Sequence, residues 1–415
     1  MKKLKLIPLL ALSCLSHGWA GAPSPEDLDK VGEWVSGVET AKSGILLSGY
    51  VDAGYVYNFI GGGSSVATSG FAPDTQAKGD FNLNAVKLVL EKPLSPAHEF
   101  QAGFRVDLMA GEDAAGLSQN TADAGTSDSL YVQQAVVMVR VPFGNGLDIE
   151  VGRMGSLLGF EADERAANLN ITKGLNESLD PGPASGIRFV YPVLEWMALM
   201  AEVNNGNGLS TSNGVNDGLG SFEARDGYAF TAAAGATHPG GNAEAQVAFN
   251  AAPWGSEGFG QQENEGLYSF NAWGTWAPLC FRDKLLFAFN TTYLNASDFG
   301  NGSAFAPATD DASGLFTAAV YAKYQFTPVF SLAGRAEYTH GDDDQLLDLE
   351  PGLAPVQGGS DIWGLTLTAG FDVLENVLLR AEYRVDLGND VAAANGGAFN
   401  DDQAHTLATQ VVFSF

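Results

Sequence analysis

The chain has 415 residues, 49 acidic against 21 basic side chains and a formal charge of −28. So acidic a chain lacks the clustered lysine and arginine that nucleic acid requires, and with Cys14 and Cys280 as its two cysteines it is no disulfide scaffold. An apolar content of 45% with 11% aromatics excludes disorder, while 51 glycines and only 17% charged residues suit many strands joined by turns.

Residues 1–20 read as a secretory signal peptide: a basic start with Lys2, Lys3 and Lys5, a short apolar run to Leu15, and the small-x-small site Gly18-Trp19-Ala20. The apolar run is too short to span a bilayer. Ala11-Leu12-Ser13 ahead of Cys14 lacks the branched apolar residue of a lipoprotein signal. The chain is therefore expected to be exported, by a bacterium. Residues 21–43 follow Pro25-Glu26-Asp27 with Leu28, Val31, Trp34, Val35 and Val38, the period of a short helix, read as a periplasmic segment ahead of the main domain.

From Gly44 the period falls to two. Alternation predicts strands over 44–59, 79–91, 98–110, 129–141, 147–154, 185–191, 195–204 and 227–238. It continues over 243–252, 265–277, 284–295, 314–327, 329–340, 360–374, 376–388 and 402–415. After each even strand the connection is short, as at 93–97, 142–146, 192–194 and 239–242; after each odd one it is long and polar, as at 60–78, 111–128, 155–184 and 341–359. Segregating loop length in this way is what a transmembrane barrel does, with turns on one rim and loops on the other. The fold class is thus all-β: a transmembrane antiparallel up-and-down β-barrel of about 16 strands over 44–415.

In hydrocarbon every backbone amide must be paired internally, so a sheet can span only by closing on itself. Outward positions are then apolar and lumen positions polar. In 376–388 Leu379, Ala381, Tyr383, Val385 and Leu387 alternate with Arg380, Glu382, Arg384 and Asp386; in 98–110 Phe104 and Val106 alternate with Arg105 and Asp107. Aromatics gather near strand ends, as Trp276, Phe281, Phe326, Phe371 and Phe415 do, which suits an interfacial girdle. Two places resist the pattern. Arg153 shares parity with Ile149 and Val151, so it must lie above the hydrocarbon or be turned inward by a bulge at Gly152; Lys87 and Phe81 also share one parity.

The last strand ends Gln410-Val411-Val412-Phe413-Ser414-Phe415. With the leader and the loop alternation, this terminal aromatic makes the chain resemble Gram-negative outer-membrane β-barrel proteins, whose closing strand is read by the barrel assembly machinery. The stretch Gly152-Arg153-Met154-Gly155-Ser156-Leu157-Leu158-Gly159-Phe160-Glu161 further resembles a family of β-barrel porins. The resemblance implies outer-membrane localisation among lipid and lipopolysaccharide, passive diffusion of small hydrophilic solutes, and a homotrimer as one possible assembly. It also implies that the loop over 155–184 folds into the barrel as a constriction, its Glu161, Asp163 and Glu164 facing wall arginines. Lumen parity supplies Arg105, Asp107, Arg140, Arg188, Arg335, Glu337, Arg380, Glu382 and Arg384 for the pore lining. Opposed charges across a water-filled gap would set up a transverse field.

The acidic clusters at Asp310-Asp311, Asp342–Asp344 and Asp401-Asp402 fall in long loops without the spacing of a calcium loop, and read as a solvated rim. No cofactor, catalytic or metal site is expected. A substrate-specific channel or an adhesin remains the alternative. An omptin-like hydrolase would have to use His340, the one histidine beside a carboxylate cluster at the outer rim.

Overall fold

A computed structural model describes residues 44–59, 79–97, 99–114, 130–177, 180–205, 228–252, 266–281, 284–297, 313–341, 361–388 and 403–415. The leader, the segment 21–43, most of the long connections and the three acidic clusters lie outside these residues.

The strands are β1 (Leu46–Asn58), β2 (Gly79–Lys92), β3 (Gln101–Ala110), β4 (Leu130–Val141), β5 (Leu147–Met154), β6 (Ala184–Leu194), β7 (Met197–Asn204) and β8 (Ala229–Thr237). They continue as β9 (Ala243–Ala252), β10 (Gly266–Trp276), β11 (Leu285–Ser297), β12 (Ser313–Gln325), β13 (Phe330–Gly341), β14 (Asp361–Leu374), β15 (Val377–Gly388) and β16 (Gln403–Ser414). Each pairs antiparallel with its sequence neighbours, and β1 pairs with β16 from Tyr50↔Ser414 to Asn58↔Thr406, so the sheet closes. Gly49 and Phe415 exchange both backbone hydrogen bonds at 3.0 Å, and the terminal residue thereby fastens the seam. Closure leaves no strand edge unpaired in lipid.

Alternation then sorts the side chains. Outward positions are apolar and exposed, Phe81 at 84%, Val320 at 59% and Leu367 at 53%, whereas the intervening Asp52, Asn271, Thr317 and Arg384 are buried inside. Aromatics band the short-turn end, where Tyr324, Phe326, Phe330 and Phe371 form a chain of ring contacts 4.7–5.5 Å apart. Another band forms at the long-loop end, with Tyr55 against Phe81 and Tyr338 against Trp363.

The two sequence irregularities have separate causes. In β2 the register shifts between Asp52 and Ala53, so that Asn84 is an extra residue and both Asn84 and Ala85 face the lumen. This bulge reverses the parity, sending Phe81 out and Lys87 in. At Gly152 no bulge is needed: β5 keeps its register with β4 and β6, and the glycine instead takes a φ of +135°. That twist turns Arg153 inward, where it is buried and donates to the Tyr131 hydroxyl at 2.7 Å. The turn expected over 192–194 lies further along the chain. Pro192 belongs to β6, at a register shift before Leu194, and the reversal is made by Glu195 and Trp196. A proline is tolerated in a sheet at such an irregularity because no ladder N–H is demanded of it.

Candidate functional site: the lumen loop

The connection between β5 and β6 lies inside the barrel. Its Leu157 and Leu158 pack on Val190, Met200, Ala233 and Ala248 of β6–β9, and Phe160 packs on Tyr321 and Trp273 with ring centroids 4.9 and 6.1 Å away. Opposite, Ala166 joins a cluster with Tyr50, Met109, Tyr131 and Val412. One loop thus touches walls on both sides of the lumen. A glycine is needed at 159, since φ is +94° and a Cβ would come 2.2 Å from the Asp180 carboxylate.

Polar contacts fasten the loop backbone to β13–β15. Glu382 accepts from the Ile171 and Thr172 amides at 2.5 and 2.8 Å, and Glu337 accepts from Leu175 at 2.7 Å. Arg335 donates to the carbonyls of Thr172 and Lys173, Arg384 to that of Lys173, and Arg380 to those of Arg165, Asn168 and Asn170. A peptide strung across a lumen has amides and carbonyls that no sheet pairs. Here wall carboxylates take the amides and wall guanidiniums take the carbonyls, so the desolvated backbone is satisfied.

The charged residues picked from sequence fall into three groups. Glu161, Arg335, Glu337, Arg380, Glu382 and Arg384 come together around the clamp. Glu161 is ion-paired to Arg335 at 2.8 Å, and Arg335 also pairs with Glu337 at 2.8 Å. These two acids do not face the arginine across water; the expected transverse gap is closed by direct contact. Arg335, Arg380 and Arg384 are 2%, 6% and 1% exposed, so they hold the loop rather than line a wet surface.

Asp163 and Glu164 join a second group. Gln133 donates to Asp163 at 3.0 Å, while Glu164 is in direct contact with Lys87, which reaches Asp107 at 3.0 Å and Gln133 at 2.7 Å. Arg105 grips Asp107 with two nitrogens at 2.8 and 2.9 Å. Burial works to raise the Glu164 carboxyl, but the Lys87 ammonium beside it outweighs that and holds it below the usual range. Burial and the nearby Glu177 charge push Asp180 well above its ordinary value.

Arg140 and Arg188 stand apart from the loop's clamp. Arg140 chelates Asp148 at 2.6 and 2.7 Å and donates to the Ser95 carbonyl, at the short-turn rim. Arg188 pairs with Glu202 at 2.6 Å and donates to the Gly155 carbonyl, where the loop begins. On this side the side chains of Glu91, Arg105, Arg140, Asp148 and Glu150 remain 11–19% exposed. They form a mixed-charge stripe on β2–β5 that water reaches.

Sequence reading missed Lys87, whose parity was hidden by the bulge, and Arg165, which pairs with Asp113 at 2.5 Å. Arg165 directly follows Glu164, and a cation inside an acidic loop was the available signal. His340 is bonded to Asp361 at 2.9 Å on the outward wall, away from the lumen. Among the described residues no group of three or more His, Cys, Asp or Glu could hold a metal ion.

The family model described as "Putative beta-barrel porin-2, OmpL-like" matches residues 44–415. No curated protein sequence matches the chain. Among solved structures it is similar to the outer membrane channel DcaP of Acinetobacter baumannii, with a TM-score of 0.60 and 13% identity over 92% of this chain and 100% of that one. OprB of Pseudomonas putida gives 0.57 and 13% over 90% and 95%. The trimer form of Vibrio cholerae OmpT gives 0.54 and 10% over 89% and 99%. At such identities the likeness speaks for the barrel fold, while the family match covers the whole barrel. The chain belongs to the beta-barrel porin-2 family and is an outer-membrane channel protein of the porin fold.

Proposed function

We propose that the barrel passes small hydrophilic solutes by passive diffusion and that the loop over 155–183 is its constriction. The observation that carries this reading is the clamp: a wall of alternating Arg and Glu on β13–β15 binds the loop's backbone and fixes it across the lumen. A barrel of this strand number is too wide for its own side chains to fill, so the position of the loop decides what passes. The mixed-charge stripe on β2–β5 supplies the hydrated surface along which solutes move, with Arg105 and Arg140 as the residues that set ion preference. The acidic overall charge favours cations at the mouth, and because Arg105 and Arg140 are each paired to a carboxylate, the stripe adds no bias toward anions. A homotrimer is the assembly we infer, supported by the trimer form of OmpT.

Liposome swelling with neutral sugars of graded size tests the constriction. Arg335→Ala combined with Glu337→Ala removes both signs of the clamp and is expected to admit larger sugars at higher rates. An unchanged exclusion limit in a correctly folded double variant would contradict the assignment.

A further inference from the structure

The lumen wall carries one cation that neither the clamp nor the mixed-charge stripe uses. Across the strands β7 to β12, Lys323 of β12 is the single basic residue. Alternation places it inside the barrel. On β12 Thr317, Ala319, Tyr321 and Gln325 are buried in the lumen, Phe316 and Val320 are exposed outside, and Lys323 has the parity of the first set. The strand also sets its level. Tyr321, the next lumen position toward the long loops, carries the loop's Phe160, with ring centroids 4.9 Å apart. Gln325, the next lumen position the other way, ends the strand. Lys323 therefore stands just on the short-turn side of the loop, across the barrel from the stripe on β2–β5.

Its ammonium is not engaged by the fold. Arg335 and Arg384 hold carboxylates, and Arg380 donates to Gln410 and to loop carbonyls. Arg105 and Arg140 in the stripe are likewise paired, to Asp107 and Asp148. Lys323 has no ion pair and no hydrogen bond to any described residue. The charges of Asp372 and Arg380 reach it only at longer range, Asp372 being exposed at the register shift near the rim of β14. A lysine placed in this way packs its stem on the wall and keeps a compact, hydrated charge for whatever ion passes.

We propose that Lys323 is the specificity-determining residue of the channel, attracting small monovalent anions such as short carboxylates beside the constriction. The inference rests on the diffusion reading and adds a solute class to it. The carboxylates Glu91, Asp148 and Glu150 on the opposite wall are only partly buried and would repel anions. Against them Lys323 supplies the one positive charge that no wall carboxylate neutralises within the strands β7 to β12. The single ammonium also sets the valence. It matches one negative charge, whereas the second charge of a dianion would face Asp372 and the acidic stripe without a partner, because Arg380 is taken up by the loop.

Zero-current potentials of the full barrel in planar bilayers, under a potassium acetate gradient, test this. The acetate-to-potassium permeability ratio is expected to fall roughly threefold or more in Lys323→Gln and to stay near the parent's in Lys323→Arg, which keeps the charge. Lys92→Gln loses the same charge from the outward face at the short-turn rim and should leave the ratio unchanged. In the parent, monomethyl succinate should be more permeant than the succinate dianion. An unaltered ratio in Lys323→Gln would overturn the proposal, as would an equal fall in Lys323→Arg or in Lys92→Gln. A succinate dianion more permeant than its monoester would overturn the assigned valence. Each of these results requires conducting channels and leaves the diffusion reading standing, whereas a parent that forms no channels would overturn both.

Discussion

At Gly152 a single backbone angle decides on which side of the membrane wall a charge lies. An added Cβ would sit 2.1 Å from the Ala135 carbonyl oxygen, and the φ of +135° is one that other residues rarely adopt. Gly152→Ala is therefore expected to cost about 1–3 kcal/mol in backbone strain and to move Arg153 off Tyr131. Urea unfolding in detergent, read by tryptophan fluorescence, would show the lowered midpoint. Asp180 gives a prediction with a definite sign. Its carboxyl is raised in the docked loop by burial first and by Glu177 second. The folded state thus binds its proton more tightly than the unfolded chain does. Loop docking is then favoured below the ordinary carboxylate pKa and loses this contribution as pH rises through the raised value. Asp180→Asn should hold the loop docked across that window, and single-channel conductance should vary less with pH in the variant than in the parent.

At the scale of the element, the loop and the strands that clamp it act as one unit. Arg335→Ala would leave the buried Glu161 without its guanidinium and Glu337 with Arg384 alone at 3.6 Å, and removing one member of such a network costs about 3–5 kcal/mol. Limited proteolysis should then cut within 161–175, a segment expected to resist cleavage in the parent. On the other wall face, Leu367→Arg places a cation in hydrocarbon at about 2–4 kcal/mol. Folding yield into vesicles should fall for this substitution. Strand faces were legible in the sequence because lipid and water impose opposite chemistries on alternate residues. The facing of Lys87 was not legible: its shared parity with Phe81 marks an irregularity in the strand, but where the bulge falls is set by the pairing of Asp52 with Ala85 and of Ala53 with Leu83 across two strands. The arginines of β13 and β15 were found by parity. That they bind loop carbonyls could not be read, since the partner atoms belong to the backbone, which every sequence shares.

For the whole molecule, the alternation of short and long connections marks a barrel, and closure of β1 on β16 completes it. The central claim joins the closed wall to the loop within it: the barrel conducts, and the loop over 155–183 sets how much. Single-channel recording in a planar bilayer, comparing the parent with a variant in which residues 161–175 are replaced by a short glycine-serine linker, tests both parts together. Ohmic channels from the parent and a several-fold larger conductance from the variant are predicted. Equal conductance in the two would contradict the role of the loop, and the absence of channels from both would contradict the pore itself.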